Sequence, residues 1–142
     1  MRTLLENYTA EKSLYARILA PVYQKYQLTY MELSVLLFLA NNPDFDTAAQ
    51  IVKYRQLTKS HVSISLKTLQ QRGLLVGEQR PDDRRTVHLK LTDAADPIID
   101  DGRKAQQTFL QQMLAGFTPE EIQLYQEFQA RIHHNLTTRP MP

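Results

Sequence analysis

Leu57-Thr58-Lys59-Ser60-His61-Val62-Ser63-Ile64-Ser65-Leu66-Lys67-Thr68-Leu69-Gln70-Gln71-Arg72-Gly73 runs into Leu74-Leu75-Val76, then a charged stretch Arg80-Pro81-Asp82-Asp83-Arg84-Arg85, then Thr86-Val87-His88-Leu89-Lys90-Leu91-Thr92. The first segment reads as a helix. Thr58 is a good N-cap, because its hydroxyl can accept from a free amide of the first turn. Val62, Leu66 and Leu69 recur at helical period and make one buried stripe. Gly73 ends the helix, since glycine takes the left-handed cap conformation without penalty. Val87, Leu89 and Leu91 alternate with Thr86, His88 and Lys90, the period-two pattern of a half-buried strand. The whole is a helix, a strand, a tight basic loop and a second strand.

The helix face opposite the stripe carries Ser60, His61, Ser63, Ile64 and Lys67. Ile64 lies about 200° around the helix from Val62 by the 3.6-residue period. One exposed Ile is ordinary, but an apolar side chain among small hydroxyls also suits thymine methyl groups in a DNA major groove. Residues 46–92 hold nine Lys or Arg against four Asp or Glu, a balance of +5, and the rest of the chain is then −3. A basic middle in an acidic frame suits a module that faces nucleic acid.

A capped helix, a hairpin and a basic tip at this spacing resemble the winged helix-turn-helix core of the MarR family of bacterial transcription regulators. That family carries Asp-x-Arg at the wing tip and a strand ending in Leu-Thr. Asp83-Arg84-Arg85 and Leu91-Thr92 fit, and Leu28-Thr29 matches the Leu-Thr that opens an earlier helix of the family.

At 142 residues, 42% hydrophobic and 23% charged, the chain fits one globular domain. The longest apolar run, Val35 to Ala40, is far below the ~18 residues of a membrane span. No basic start followed by an apolar block marks a signal peptide, so a cytoplasmic protein is expected. The absence of cysteine removes disulfides, thiolate zinc sites and thiol-based peroxide sensing. The histidines His61, His88, His133 and His134 are scattered, so no metal or cofactor is expected. Four glycines in all leave no phosphate-binding loop, and no nucleophile motif appears. The pairs Asp82-Asp83 and Asp100-Asp101 read as solvated surface, so an enzyme is not expected.

Outside the central stretch, residues 3–27 read as a long helix rich in tyrosine, which Pro21 should kink or break. Thr29-x-x-Glu32 is a capping box opening a helix with an apolar face at Leu33, Leu36, Leu37 and Ala40. Asp46 or Thr47 can cap a short helix from Ala48 to about Tyr54, packed through Ala48, Ala49, Ile51 and Val52. Its link to Thr58 lacks the glycine usual in a helix-turn-helix. After the wing a helix starts at Asp93 or at Asp96-Pro97, with apolar positions at Ile98, Ile99, Phe109, Leu110, Met113 and Leu114. Thr118-Pro119-Glu120-Glu121 is a strong start for the last helix. The tail after Leu136, with Pro140 and Pro142, should fray.

The expected fold is mainly α with a small β-hairpin, a winged helix-turn-helix flanked by terminal helices in a single MarR-like domain. The resemblance, which covers about residues 5–135, implies dimerisation helices at residues 1–28 and 97–138 and a DNA-binding lobe at residues 29–92. It implies a homodimer, by default a repressor, on a pseudo-palindromic operator. The recognition helix would use Thr58, Lys59, Ser60, His61, Ser63, Ile64 and Lys67. The wing would use Arg80, Asp83, Arg84 and Arg85, with Asp83 pairing to Arg85. Arg55, Arg72 and Lys90 are further phosphate candidates. Small aromatic or anionic effectors bind such proteins between the dimer helices and the DNA lobe, where Tyr15, Tyr23, Tyr26, Tyr30 and Met31 would line a pocket. The alternative is a winged-helix dimer that binds another protein without specific DNA binding.

Overall fold

The computed structural model describes residues 1–138. Its elements are α1 (Arg2–Lys25), α2 (Tyr30–Asn41), α3 (Ala48–Arg55), α4 (Lys59–Gln71), β1 (Leu75–Arg80), β2 (Asp83–Leu91), a 3-10 turn (Asp93–Ala95), α5 (Asp96–Met113) and α6 (Pro119–Thr138). The chain divides into two compact units, Met1–Phe109 and the residues from Leu110 on. Among the described residues six α-helices and one antiparallel hairpin make the expected mainly α fold.

α2 runs through the core of the first unit. Leu33, Val35, Leu36, Leu37 and Leu39 are all buried, because nearly every face of this helix meets a neighbour. Its start is the expected box: Glu32 N donates to Thr29 Oγ1 at 3.1 Å, and Thr29 N donates to Glu32 Oε2 at 3.0 Å. Leu19 of α1, Ile51 of α3, Leu69 of α4, Leu75 of β1 and Ile98 of α5 close around it. α5 approaches α2 closely because residue 102 is glycine; a Cβ there would stand 2.6 Å from Leu37 Cδ2.

Several expectations change. α1 passes through Pro21 without a break. Pro21 and Arg17 both lie on the exposed side, so water can reach the carbonyl that proline leaves unbonded. The start after the wing uses both candidates: a 3-10 turn at Asp93, then α5 from Asp96. Ala48 and Ala49 are exposed, and Ile51 alone of its helix is buried. In the second unit α6 buries no residue and stays helical to Thr138; Pro140 and Pro142 lie outside the described residues.

Candidate nucleic-acid interface

α3 and α4 form the helix-turn-helix. Thr47 and Gln50 make a second capping box at the start of α3. In the turn Gln56 takes the left-handed conformation, φ 50°, which is the role glycine usually fills. α4 begins on Thr58, whose hydroxyl accepts from His61 N at 3.3 Å. It ends in a Schellman motif: Leu74 N donates to Leu69 O and Gly73 N to Gln70 O, both at 3.0 Å, with Gly73 at φ 70°. Val62, Leu66 and Leu69 are buried as expected.

The opposite face of α4 is open. Thr58, Lys59, Ser60, His61, Ser63, Ile64 and Lys67 are all exposed, Ile64 at 65%. Lys59, Ser63 and Lys67 border a groove of ≈ 680 Å³ that runs from α3 across α4 to Val87 and Leu89 of β2. Its floor is apolar and its rim carries two lysines. The exposed Ala48 and Ala49 belong to this groove, and so does Val87, which is 42% exposed rather than half-buried core.

The wing is longer and its turn tighter than the charge pattern suggests. β1 and β2 pair from Leu75↔Leu91 out to Gln79↔Val87, then jump to Arg80↔Asp83. Arg84, Arg85 and Thr86 therefore bulge from β2 with no partner on β1, and only Pro81-Asp82 turn the chain. A bulge re-aims the side chains it carries. Asp83 closes this one: its Oδ1 accepts from Arg85 N at 3.0 Å and Thr86 N at 3.3 Å. Hydrogen bonds to Thr86 and to the Arg85 backbone hold the Asp83 carboxyl below the usual carboxylate range. The expected pairing of Asp83 with the Arg85 guanidinium is thus corrected; Asp83 holds the backbone of Arg85. Arg84 and Arg85 are exposed and make no ion pair among the described residues.

The remaining basic candidates divide. Lys90 is exposed on β2. Arg80 reaches Asp46 at 3.8 Å. Arg72 is committed elsewhere, donating to the carbonyls of Gln27 and Tyr26. Arg55 borders a cleft of ≈ 440 Å³ with Tyr8, Lys12, Tyr15, Tyr30 and Phe109.

That cleft revises the tyrosine pocket. Tyr15 and Tyr30 line it. Tyr23 instead packs edge-on against Tyr30, at 6.3 Å and 87°. Tyr26 turns to α5, its hydroxyl donating to Asp101 Oδ2 at 2.8 Å. Met31 is half-buried and lines neither this cleft nor the small cavity beside it. The small cavity, ≈ 110 Å³, is bordered by Tyr15, Ser34, Arg55 and Gln106. Gln106 Nε2 donates to the Tyr15 hydroxyl at 2.9 Å, and burial pushes that phenol's pKa up. Ser34 Oγ is buried with no hydrogen-bond partner among the described residues. Arg55, Ser34, Gln106 and Phe109 were not legible as pocket residues, since only folding brings these helices together.

Among the described residues no three His, Asp or Glu converge as metal ligands, and no helix is long and apolar enough to cross a membrane.

Residues 26–86 match the family model described as MarR family. An uncharacterized HTH-type transcriptional regulator of Bacillus subtilis (strain 168), YdgJ, is 28% identical over 101 residues. The match covers 71% of this chain and 62% of YdgJ, so the chain spans less than two thirds of that relative. The crystal structure of the transcriptional regulator PA3341 superposes with a TM-score of 0.81 at 26% identity, over 97% of this chain and 98% of that one. A MarR family transcriptional regulator from Listeria monocytogenes, in complex with a 26mer DNA, shares the fold at a TM-score of 0.81 and 16% identity, over 94% of this chain and 87% of that one. All three bear the name of transcriptional regulators. With its helix-turn-helix, its hairpin wing and its matching residues 26–86, the chain is similar to transcriptional regulators of the MarR family.

Proposed function

We propose that the chain is a sequence-specific double-stranded DNA-binding regulator, a repressor acting as a homodimer on a pseudo-palindromic operator. The observation that carries this reading is the wing bulge. Arg84 and Arg85 are exposed, without an ion pair among the described residues, and held on a backbone that Asp83 fixes. Two cations displayed this way cost self-repulsion unless an anion meets them, and a phosphate backbone meets them with counterion release. The open face of α4 supplies what base edges need: hydroxyls, His61, Lys67 and the apolar Ile64. In this reading residues 29–92 are the DNA-binding lobe.

Dimerisation is supported by uncovered apolar surface at both ends of the chain. Leu4, Leu5 and Tyr8 of α1 are 66%, 61% and 59% exposed. In α6 Leu124, Phe128, Ile132 and Leu136 recur every four residues and are 48%, 51%, 50% and 77% exposed. Stripes of this length on a polar helix mark an interface. Residues 1–28 and 97–138 would carry it. A twofold dimer then offers two copies of α4 to half-sites about 10 bp apart or a multiple of that.

An effector site fits the cleft of Tyr15, Tyr30 and Phe109. Aromatic walls bordered by two cations, Arg55 and Lys12, against one acid, Glu11, suit a small aromatic anion. Such a ligand would release the DNA by favouring a dimer with displaced lobes.

The test is titration of the protein's own upstream region, as a labelled duplex, against a scrambled duplex of equal length. Saturable binding at two chains per duplex that outlasts excess competitor DNA supports the reading. Equal, weak binding to both duplexes contradicts it and turns attention to a protein partner.

A further inference from the structure

The wing has little of its own to hold it in place. A two-stranded hairpin is marginally stable alone. Only Leu75 of β1 and Leu89 of β2 are buried. Between the wing and the end of α2 lies a cleft of ≈ 600 Å³, bordered by Leu39, Pro43, Arg80 and His88. Apolar packing therefore does not set the angle of the outer wing.

One residue in the α2–α3 connection bridges that gap. Asp46 Oδ1 lies 2.9 Å from His88 Nδ1, and Asp46 Oδ2 lies 3.8 Å from Arg80 Nη2. The Asp46 carbonyl accepts from Leu89 N at 2.7 Å. His88 and Leu89 are consecutive on β2, and Arg80 ends β1 beside the tip. A single residue thus grips both strands, one of them where the Arg84–Thr86 bulge begins. The side chains of His88 and Asp46 are 18% and 27% exposed, so the contact is partly shielded from water.

The geometry points to Asp46 as a positioning residue for the wing: through His88 and Arg80 it sets how Arg84 and Arg85 meet DNA. This rests on the DNA-binding reading above. Asp46 touches no DNA in this account, and as a carboxylate it would weaken phosphate binding if it faced the backbone directly. Its removal should therefore do the opposite of what simple electrostatics predicts, and weaken binding.

A double-mutant cycle on the full chain tests it, with operator affinity measured by anisotropy. Asp46→Ala and His88→Ala are each made alone and together with Arg84→Ala/Arg85→Ala. Asp46→Asn keeps an acceptor oxygen and loses the charge. Each alanine variant should weaken binding about tenfold in the intact wing and less than about twofold once both arginines are gone, as expected of residues acting through one another. Asp46→Asn should fall between wild type and Asp46→Ala. Equal losses in both backgrounds would show a general effect on folding and overturn the proposal. So would unchanged or tightened binding in Asp46→Ala and His88→Ala. Melting curves of every variant confirm that folded protein is compared. If the wild type binds without any dependence on Arg84 and Arg85, the DNA reading of the wing fails and Asp46 falls with it; if that dependence holds and the cycle is additive, Asp46 alone fails.

Discussion

Arg72, which closes α4, donates from Nη2 to the carbonyl of Tyr26 at 2.7 Å and from Nη1 to that of Gln27 at 2.9 Å. These carbonyls stand at the end of α1, where the helix dipole is negative and a cation is favoured. The Tyr26 hydroxyl donates in turn to Asp101 of α5, and Lys25 Nζ meets the same carboxylate oxygen at 2.8 Å. One polar knot ties the end of α4 to α1 and α5.

Replacing Arg72 with Ala should therefore act on folding. Loss of two charge-assisted bonds at a helix end should cost about 1–2 kcal/mol in chemical denaturation. The dependence of DNA affinity on salt should keep its wild-type slope. A slope reduced by about one contact would instead make Arg72 a phosphate ligand.

The same knot predicts a pH response. Hydrogen bonds from Lys25 first, and then Tyr26, hold the Asp101 carboxyl below the ordinary carboxylate range. The unfolded chain then takes up that proton at a higher pH than the folded one. The contribution is present above the ordinary carboxylate range and is lost as pH falls through the folded value. Lys25 is shifted up by the same bond to Asp101, so the opposite loss comes only far on the alkaline side. Melting temperature against pH should show Asp101→Asn below wild type at neutral pH, with the two curves converging in acid. Parallel curves down to the acid limit would rule this out.

The helix-turn-helix carries strain at Gln56, a non-glycine residue at φ 50°. Gln56→Gly should stabilise the protein by about 0.5–1 kcal/mol, the relief of left-handed strain less the entropy glycine adds to the unfolded chain. Gln56→Val should destabilise it, because a β-branched side chain tolerates that conformation least. Urea melts of the two variants should therefore move in opposite directions.

What could be read in the sequence was local. Thr29 with Glu32, Thr58, Gly73 and Thr118 with Glu121 fix helix ends through contacts within a few residues, and each was visible as a short motif. The stripe Val62, Leu66, Leu69 was visible for the same reason. The wing tip was legible only as charge. That Arg84 and Arg85 sit in a bulge follows from backbone pairing, which side-chain alternation does not encode. Val87 looked like core and lies on a groove wall: it pairs with Gln79, and its Cγ1 sits over Gly77, 2.7 Å from where a Cβ there would stand. The Tyr15–Gln106 and Asp46–His88 contacts join residues 91 and 42 positions apart in the chain; no spacing rule reaches that far.

In the proposed regulator the wing bulge meets phosphate. Operator affinity across a salt series, for wild type and Arg84→Ala/Arg85→Ala, reads this contact out. The log–log slope should be shallower by about 1.8 in the double variant, about 0.9 for each lost phosphate contact. An unchanged slope and affinity in a folded double variant would contradict it.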